Sequence, residues 1–468
     1  MQWQIPGFLE TQDNLLCVSG VNTVEVAAEY GTPLFVFSEG MIRRNIVELQ
    51  NVFGQFDVKL RIFYASKANS NLSVLRVVRD AGLDCEVNSG GELYKAFKAG
   101  FTPDQLVFNG VAKTEAELRT AIEREIFCIN VDSAFELDRI IGAAESTQKR
   151  ANIALRMVPG IEAGTHSGLE TGALTSKFGM ADDELNTCYH RAINHAERVN
   201  LIGLHLHIGA QVTDASRYHN AVQVLVAKAQ SLFDATGHKV QYLNLGGGFP
   251  ASFIKSEDAY LRDSIISDPE NPFGDVYGTL RARVSMKEFA DATFGQFKAN
   301  PSMRDFVNDI CFIFEPGTRI IADTAILLSR IENHKNRPNG DAWLLLDAGF
   351  NVLLDNLAYT WYFHAVAANR AGETAETPYK LGGPLCDGAD VFHDIDDLKR
   401  LPTYRLLPDG MCAGDLIAFL DTGGYTLEQM HQYNGRPRPA AVMVSESGDV
   451  RLIRRRETHD DLFLHDVD

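Results

Sequence analysis

The sequence predicts a closed (β/α) barrel joined to a second, β-rich domain. Three observations carry this. Eight short runs rich in β-branched and aromatic residues recur at 61–66, 83–87, 106–110, 126–132, 152–158, 201–208, 240–245 and 311–316. Amphipathic helical stretches separate the early runs, and polar, reactive side chains follow nearly every one. After about residue 340 the pattern changes to strands with few helices between them. A doubly wound open sheet is the alternative arrangement for alternating strands and helices. The count of eight favours the barrel.

The elements follow in order. Leu34-Phe35-Val36-Phe37 reads as a strand, with a helix starting at Glu39. Behind the first barrel run, Leu72, Leu75 and Val78 recur at helical spacing and Gly82 closes the helix. Ser89-Gly90-Gly91-Glu92 opens a second helix that ends at Gly100, so Ala81-Gly82-Leu83 and Ala99-Gly100-Phe101 mark the same turn twice. Residues 255–305, rich in Asp, Ser and Pro, exceed an ordinary connection and suggest an inserted lid, helix pair or contact element. Trp343–Leu346, Leu416–Leu420 and Ala441–Val444 read as strands, and Glu446-Ser447-Gly448-Asp449 as a hairpin turn. The expected division is 1–38 as strands joining the β domain, 39–335 as the barrel and 336–468 as the C-terminal β domain.

Composition bounds the function. The 468 residues suffice for two domains, and 45% hydrophobic with 23% charged residues is ordinary for a globular protein. No apolar run approaches the roughly 20 residues that span a membrane. The first ten residues lack the basic start and apolar stretch of a secretory signal. Seven scattered cysteines fit reduced thiols in a cytoplasm, and no Cys-x-x-Cys pair suggests a metal site. A net charge of −18 disfavours nucleic acid and mildly favours cationic small molecules.

The residues behind the strands carry the chemistry. Lys67 follows the first barrel run, where catalytic groups collect and a lysine can bond a carbonyl carbon. In Leu204–Gly209 the alternating His205 and His207 share a face. Gly246-Gly247-Gly248 can cradle a phosphate on backbone N–H groups. Glu315-Pro316-Gly317 ends the last barrel strand, where a buried carboxylate needs a cationic partner. Cys386-Asp387 and Tyr425 lie in the β domain. Singly, each has a bland reading: a solvated lysine, a core histidine, a glycine turn, an inert thiol or a packed ring. Jointly, they supply the lysine, phosphate nest, stacking ring and carboxylate that a pyridoxal phosphate site requires.

The chain resembles the fold type III pyridoxal phosphate decarboxylases, with their alanine racemase-like architecture, the group of diaminopimelate and eukaryotic-type ornithine decarboxylases. The likeness rests on Tyr64–Asn69, Ser89–Leu93, Lys177–Gly179, Gly203–Gly209, Gly246–Gly248, Glu315–Gly317, Cys386-Asp387 and Tyr425. It implies that Lys67 holds the cofactor, His207 stacks on it, and Gly246, Gly247, Gly248, Gly317 and Tyr425 belong to its binding site. It also implies that Glu315 faces the pyridine nitrogen. Cys386 would come from the partner subunit as proton donor, in a homodimer with shared active sites.

Departures from the family pattern point to the substrate. The usual Glu-Pro-Gly-Arg is Glu315-Pro-Gly-Thr318, with Arg319 one place late, and Asn351–Asn356 lacks the arginine of the family's Arg-Pro-x-Leu-Tyr segment. Those two arginines clamp a distal carboxylate in diaminopimelate decarboxylases. Asp387 replaces their glutamate, as in ornithine-type enzymes, where it meets the distal amine; Tyr425 would also touch substrate. Ala210 stands where a serine is common. The expectation is decarboxylation of D-lysine or D-ornithine to cadaverine or putrescine. The alternatives are meso-diaminopimelate decarboxylase, an L-ornithine or L-lysine decarboxylase, and a non-catalytic regulatory homologue. Glu315 argues against a racemase.

Overall fold

The computed structural model describes residues 3–467 except 163, 165–168, 170, 255–256, 271, 273–284 and 397–399. It divides into two compact units. One comprises 45–250 and 283–320, the other 1–44, 251–282 and 321–468.

The first unit is a closed barrel of eight parallel strands: β1 (Lys59–Ala65), β2 (Asp84–Val87), β3 (Leu106–Phe108), β4 (Cys128–Val131), β5 (Ala151–Arg156), β6 (Val199–His205), β7 (Tyr242–Asn244) and β8 (Cys311–Phe314). β8 pairs with β1, Cys311 opposite Lys59, so no edge remains and the open-sheet alternative falls. Phe63, Val107, Cys128, Ala154, Ile202 and Ile313, one from each of six strands, form a buried cluster inside it. Phe127 packs against that cluster, and the Arg61 guanidinium lies 4.3 Å from its ring centroid. Each large apolar side chain so buried contributes about 1.5–3 kcal/mol.

Helix punctuation follows the sequence. Asn71 accepts from the Ser73 N–H to start Leu72–Asp80, and Ser89 accepts from the Glu92 N–H to start Gly90–Ala99. Gly82 (φ +84°) and Gly100 (φ +97°) both turn the chain in the left-handed region that a side chain disfavours. All the barrel strands but β2 end one to three residues before the sequence suggests. β5 stops at Arg156 and β6 at His205, so His207 lies on the loop beyond its strand.

The second unit is built on a nine-stranded sheet. Its long central strand, Ala325–Asn336, pairs antiparallel with Leu34–Ser38, which in turn runs parallel to Ala440–Val444. Residues near both ends of the chain thus enter one sheet. The turn after Ala440–Val444 is held by the Ser445 N–H on the Asp449 carbonyl and leads into Val450–Arg454. The interval 255–305 lies partly outside the described residues. Its helix Glu257–Ser267 falls in the sheet unit, and Met286–Phe294, Gln296–Ala299 and Pro301–Val307 fall in the barrel unit. No helix among the described residues is long and apolar enough to cross a membrane.

Candidate active site

The barrel unit gathers Lys67, His207, Gly246–Gly248, Glu315 and Gly317 behind the C-terminal ends of β1, β6, β7 and β8. Lys67 stands in a single turn, Ser66–Ala68, with its side chain exposed between two buried neighbours. The turn is pinned: Ser66 Oγ donates to Glu92 Oε2 at 2.8 Å, and the Ala65 N–H donates to the Pro316 carbonyl at 3.0 Å. Gly317 allows that approach, because a Cβ there would sit 3.0 Å from the Cβ of Ala68.

The glycine run is fixed as a concave loop. The Gly246 N–H donates to Asn244 Oδ1 at 2.9 Å, and the Gly246 carbonyl accepts from the Glu315 N–H at 2.8 Å. A Cβ at Gly247 would collide with the Glu315 carbonyl, and one at Gly248 with that of Gly209. The Gly247 and Gly248 N–H groups meet no acceptor among the described residues. Such donors suit a phosphate. His207 borders this loop, its buried Nδ1 without a hydrogen-bond partner. Burial first, then the cations Lys67 and Arg156, hold the imidazole well below its usual range, so the ring is neutral.

Glu315 is 5% exposed, yet it is held ionised. Asn244 Nδ2 donates to Oε1 at 2.7 Å, Asn109 Nδ2 donates to Oε2 at 2.9 Å, and His205 Nε2 lies 3.6 Å from Oε2. Burial alone would raise the carboxyl; His205 and the two amides outweigh it and bring it to about 2. A carboxylate of this kind can hold a protonated ring nitrogen. The barrel residues therefore fit a pyridoxal phosphate in three independent ways: an accessible lysine, unused phosphate donors and an ionised carboxylate.

The sheet unit carries the other expected residues in two loops. Cys386 and Asp387 are exposed; the Cys386 N–H donates to Asn434 Oδ1 at 2.7 Å, and Tyr433 Oη donates to Asp387 Oδ2 at 3.4 Å. Tyr425 adopts φ +63° after Gly423-Gly424 and meets Trp361 edge-on at 6.3 Å.

Two kinds of residue escaped the sequence reading. Asn109, Asn244 and Glu86 lie at or next to the C-terminal ends of short strands, where a polar residue looks like ordinary strand termination; only strand pairing shows them converging. Asp355 gives a different kind of signal, since in the sequence it stands out only as part of the arginine-free stretch Asn351–Asn356. It is 2% exposed in the helix Leu354–Ala358, and neither carboxylate oxygen has a hydrogen-bond partner. Burial pushes it up to about 7, the nearby Gln429 amide offsetting only part.

Comparison with known proteins supports the same reading. Residues 39–287 match the family described as pyridoxal-dependent decarboxylase, pyridoxal binding domain. The chain is 31% identical over 463 residues to the diaminopimelate decarboxylase of Bacillus subtilis (strain 168), covering 98% of this chain and 96% of that protein. It is 32% identical over 447 residues to that of Methanothermobacter thermautotrophicus, covering 96% and 94%. The crystal structure of diaminopimelate decarboxylase from M. jannaschii superposes with a TM-score of 0.84 at 29% identity, covering 98% of each chain. The chain belongs to the pyridoxal phosphate-dependent decarboxylases of fold type III, the diaminopimelate and ornithine decarboxylase family.

Proposed function

We propose that this decarboxylase acts on a diamino acid with one carboxylate and a distal ammonium, D-lysine or D-ornithine, releasing carbon dioxide and cadaverine or putrescine. Asp355 carries the reading. A buried carboxylate without a partner costs the fold several kcal/mol if ionised, and a substrate ammonium is the group that would offset it. Two absences point the same way. Arg319, one place late for the family's clamp, spends its guanidinium on Glu48 Oε2 at 2.6 Å in the barrel unit. Asp355 itself stands in the arginine-free stretch Asn351–Asn356.

The roles follow from the residues. Lys67 would hold the cofactor covalently, and the Gly247 and Gly248 N–H groups, with Tyr425, would hold its phosphate. The neutral His207 ring would stack on it, and Glu315 would accept the hydrogen bond of its ring nitrogen. Bound pyridoxal phosphate supplies an electron sink for the pair left at the α-carbon when carbon dioxide departs. Cys386 Sγ would then deliver a proton to that carbon, from the partner subunit of a homodimer. Asp387 and Asp355 would receive the distal ammonium.

A second reading comes from the relatives, whose names favour meso-diaminopimelate. That substrate would bring a distal carboxylate next to an aspartate with neither arginine in place, which costs at least a few kcal/mol, about a hundredfold or more in kcat/KM. A panel of D- and L-lysine, ornithine, arginine and meso-diaminopimelate, scored for carbon dioxide release, separates the two. A kcat/KM for meso-diaminopimelate equal to or above that for every lysine and ornithine enantiomer would overturn the proposal.

A further inference from the structure

The floor of the barrel beside Lys67 holds a second buried carboxylate that none of these roles uses. Glu86 lies near the C-terminal end of β2, is 0% exposed, and accepts from Asn109 Nδ2 at 2.7 Å and from Asn88 Nδ2 at 3.2 Å. The same Asn109 Nδ2 donates to Glu315 at 2.9 Å, so one amide group joins two carboxyls. Its orientation is fixed from behind, since Asn109 Oδ1 accepts from Asn130 Nδ2 at 2.6 Å. An amide has two N–H hydrogens, and here each carboxyl takes one.

We propose that this pair holds one proton, seated on Glu86, and that Glu86 is thereby a positioning residue that leaves Glu315 as the single ionised carboxylate for the cofactor's ring nitrogen. Two carboxylates in one desolvated site do not both ionise readily. The partners decide which one keeps the charge. Glu315 has two short amide bonds and His205; Glu86 has one short and one long amide bond. The groups facing Glu86 agree: burial raises it most, Lys67 opposes, Glu315 and Glu92 raise it further, and the balance lies at about 8. Burial weakens Arg156, the other cation in this region, while Asp132, Glu315 and Glu86 support its charge. A neutral Glu86 leaves Glu315 as the only charged acceptor on the shared Asn109 amide. An ionised Glu86 would compete with Glu315 for the same donor and draw positive charge away from it.

The inference rests on Glu315 serving the ring nitrogen, but the proton's place is read without turnover. Infrared spectroscopy of the holoenzyme at pH 7, with and without ¹³C-labelled glutamate, should show a protonated carboxyl C=O stretch that shifts with the label. Glu86→Gln should lose that band and keep the cofactor's absorbance, because the amide preserves shape and neutrality. Glu315→Gln should lower the pH at which the band titrates, since it removes the neighbouring negative charge. Absence of a label-sensitive band in the wild type at pH 7, or its persistence in Glu86→Gln, would overturn the assignment. If Glu86→Gln does not fold, the wild-type band and its shift in Glu315→Gln decide alone. Failure of the substrate panel leaves these spectra unaffected, so the two failures are distinguishable.

Discussion

Replacing Asp355 by Asn should improve the fold and damage the enzyme, and the structure sets the size of both effects. The carboxyl is 2% exposed, without a hydrogen-bond partner, and burial raises it to about 7. An aspartate in the unfolded chain loses its proton near 4. Between those values the unfolded state binds fewer protons than the folded one, so stability falls as pH rises from about 4 to about 7 and stays low above. Each pH unit of displacement is about 1.4 kcal/mol, so the ionised form costs roughly 4 kcal/mol at pH 8. Asn resembles the protonated acid in shape and carries no such cost. Asp355→Asn should therefore match the wild type near pH 4 and exceed it by up to about 4 kcal/mol at pH 8. Glu86 also weakens the fold as pH rises, but it does so equally in both proteins and cancels from the comparison.

The functional effect has the opposite sign. A charge-assisted contact to an ammonium is worth about 1.5–3 kcal/mol, so KM for the diamino acid should rise about tenfold to a hundredfold. Wild-type KM should itself rise below pH 7, as the carboxylate that receives the ammonium is lost, and that pH dependence should vanish in the variant. Thermal melts at pH 5 and pH 8, with steady-state kinetics at both, measure all of this. A variant less stable than wild type at pH 8, or one with unchanged KM and pH profile, would show that Asp355 meets no substrate ammonium.

Other outcomes follow from the same geometry. Borohydride reduction and peptide mapping should place the pyridoxyl group on Lys67; label on another lysine would sink that assignment. Gly247→Ala should lose cofactor absorbance, since its Cβ collides with the Glu315 carbonyl, and retained absorbance would remove the glycine loop from the site. Cys386→Ala should keep the absorbance but slow turnover or divert it to transamination; an unchanged rate and product would make the thiol structural. Mixing Lys67→Ala with Cys386→Ala subunits should give more decarboxylation than either variant alone, and no gain after confirmed exchange would count against shared sites.

What was legible in the sequence depended on how local the determining physics is. The barrel could be read because each strand is a short apolar run bounded by its own turn chemistry, as Gly82 and Gly100 show, both in the left-handed region where the chain reverses. Lys67, the glycine run and Glu315 stood out as candidates because each proposed role needs one residue type beside a strand end. The support beneath them could not. Asn109 follows β3, Asn244 ends β7 and Glu86 is the last residue but one of β2, and nothing in three separate tripeptides says that they share hydrogen bonds. Their meeting is a consequence of barrel closure, which sets the register of strands far apart in sequence. His207 shows a smaller failure of the same sort: alternation with His205 suggested one continuous strand, whereas pairing ends at His205 and leaves the second imidazole on the rim. Asp355 is the most instructive. A single aspartate behind Val352-Leu353-Leu354 is conspicuous once its burial is known, because an acid placed in an apolar run without a partner weakens the fold unless something else pairs with it. On the proposed function, the absent arginine and the present aspartate are one fact: a position suited to a distal carboxylate would instead repel it and need a cation.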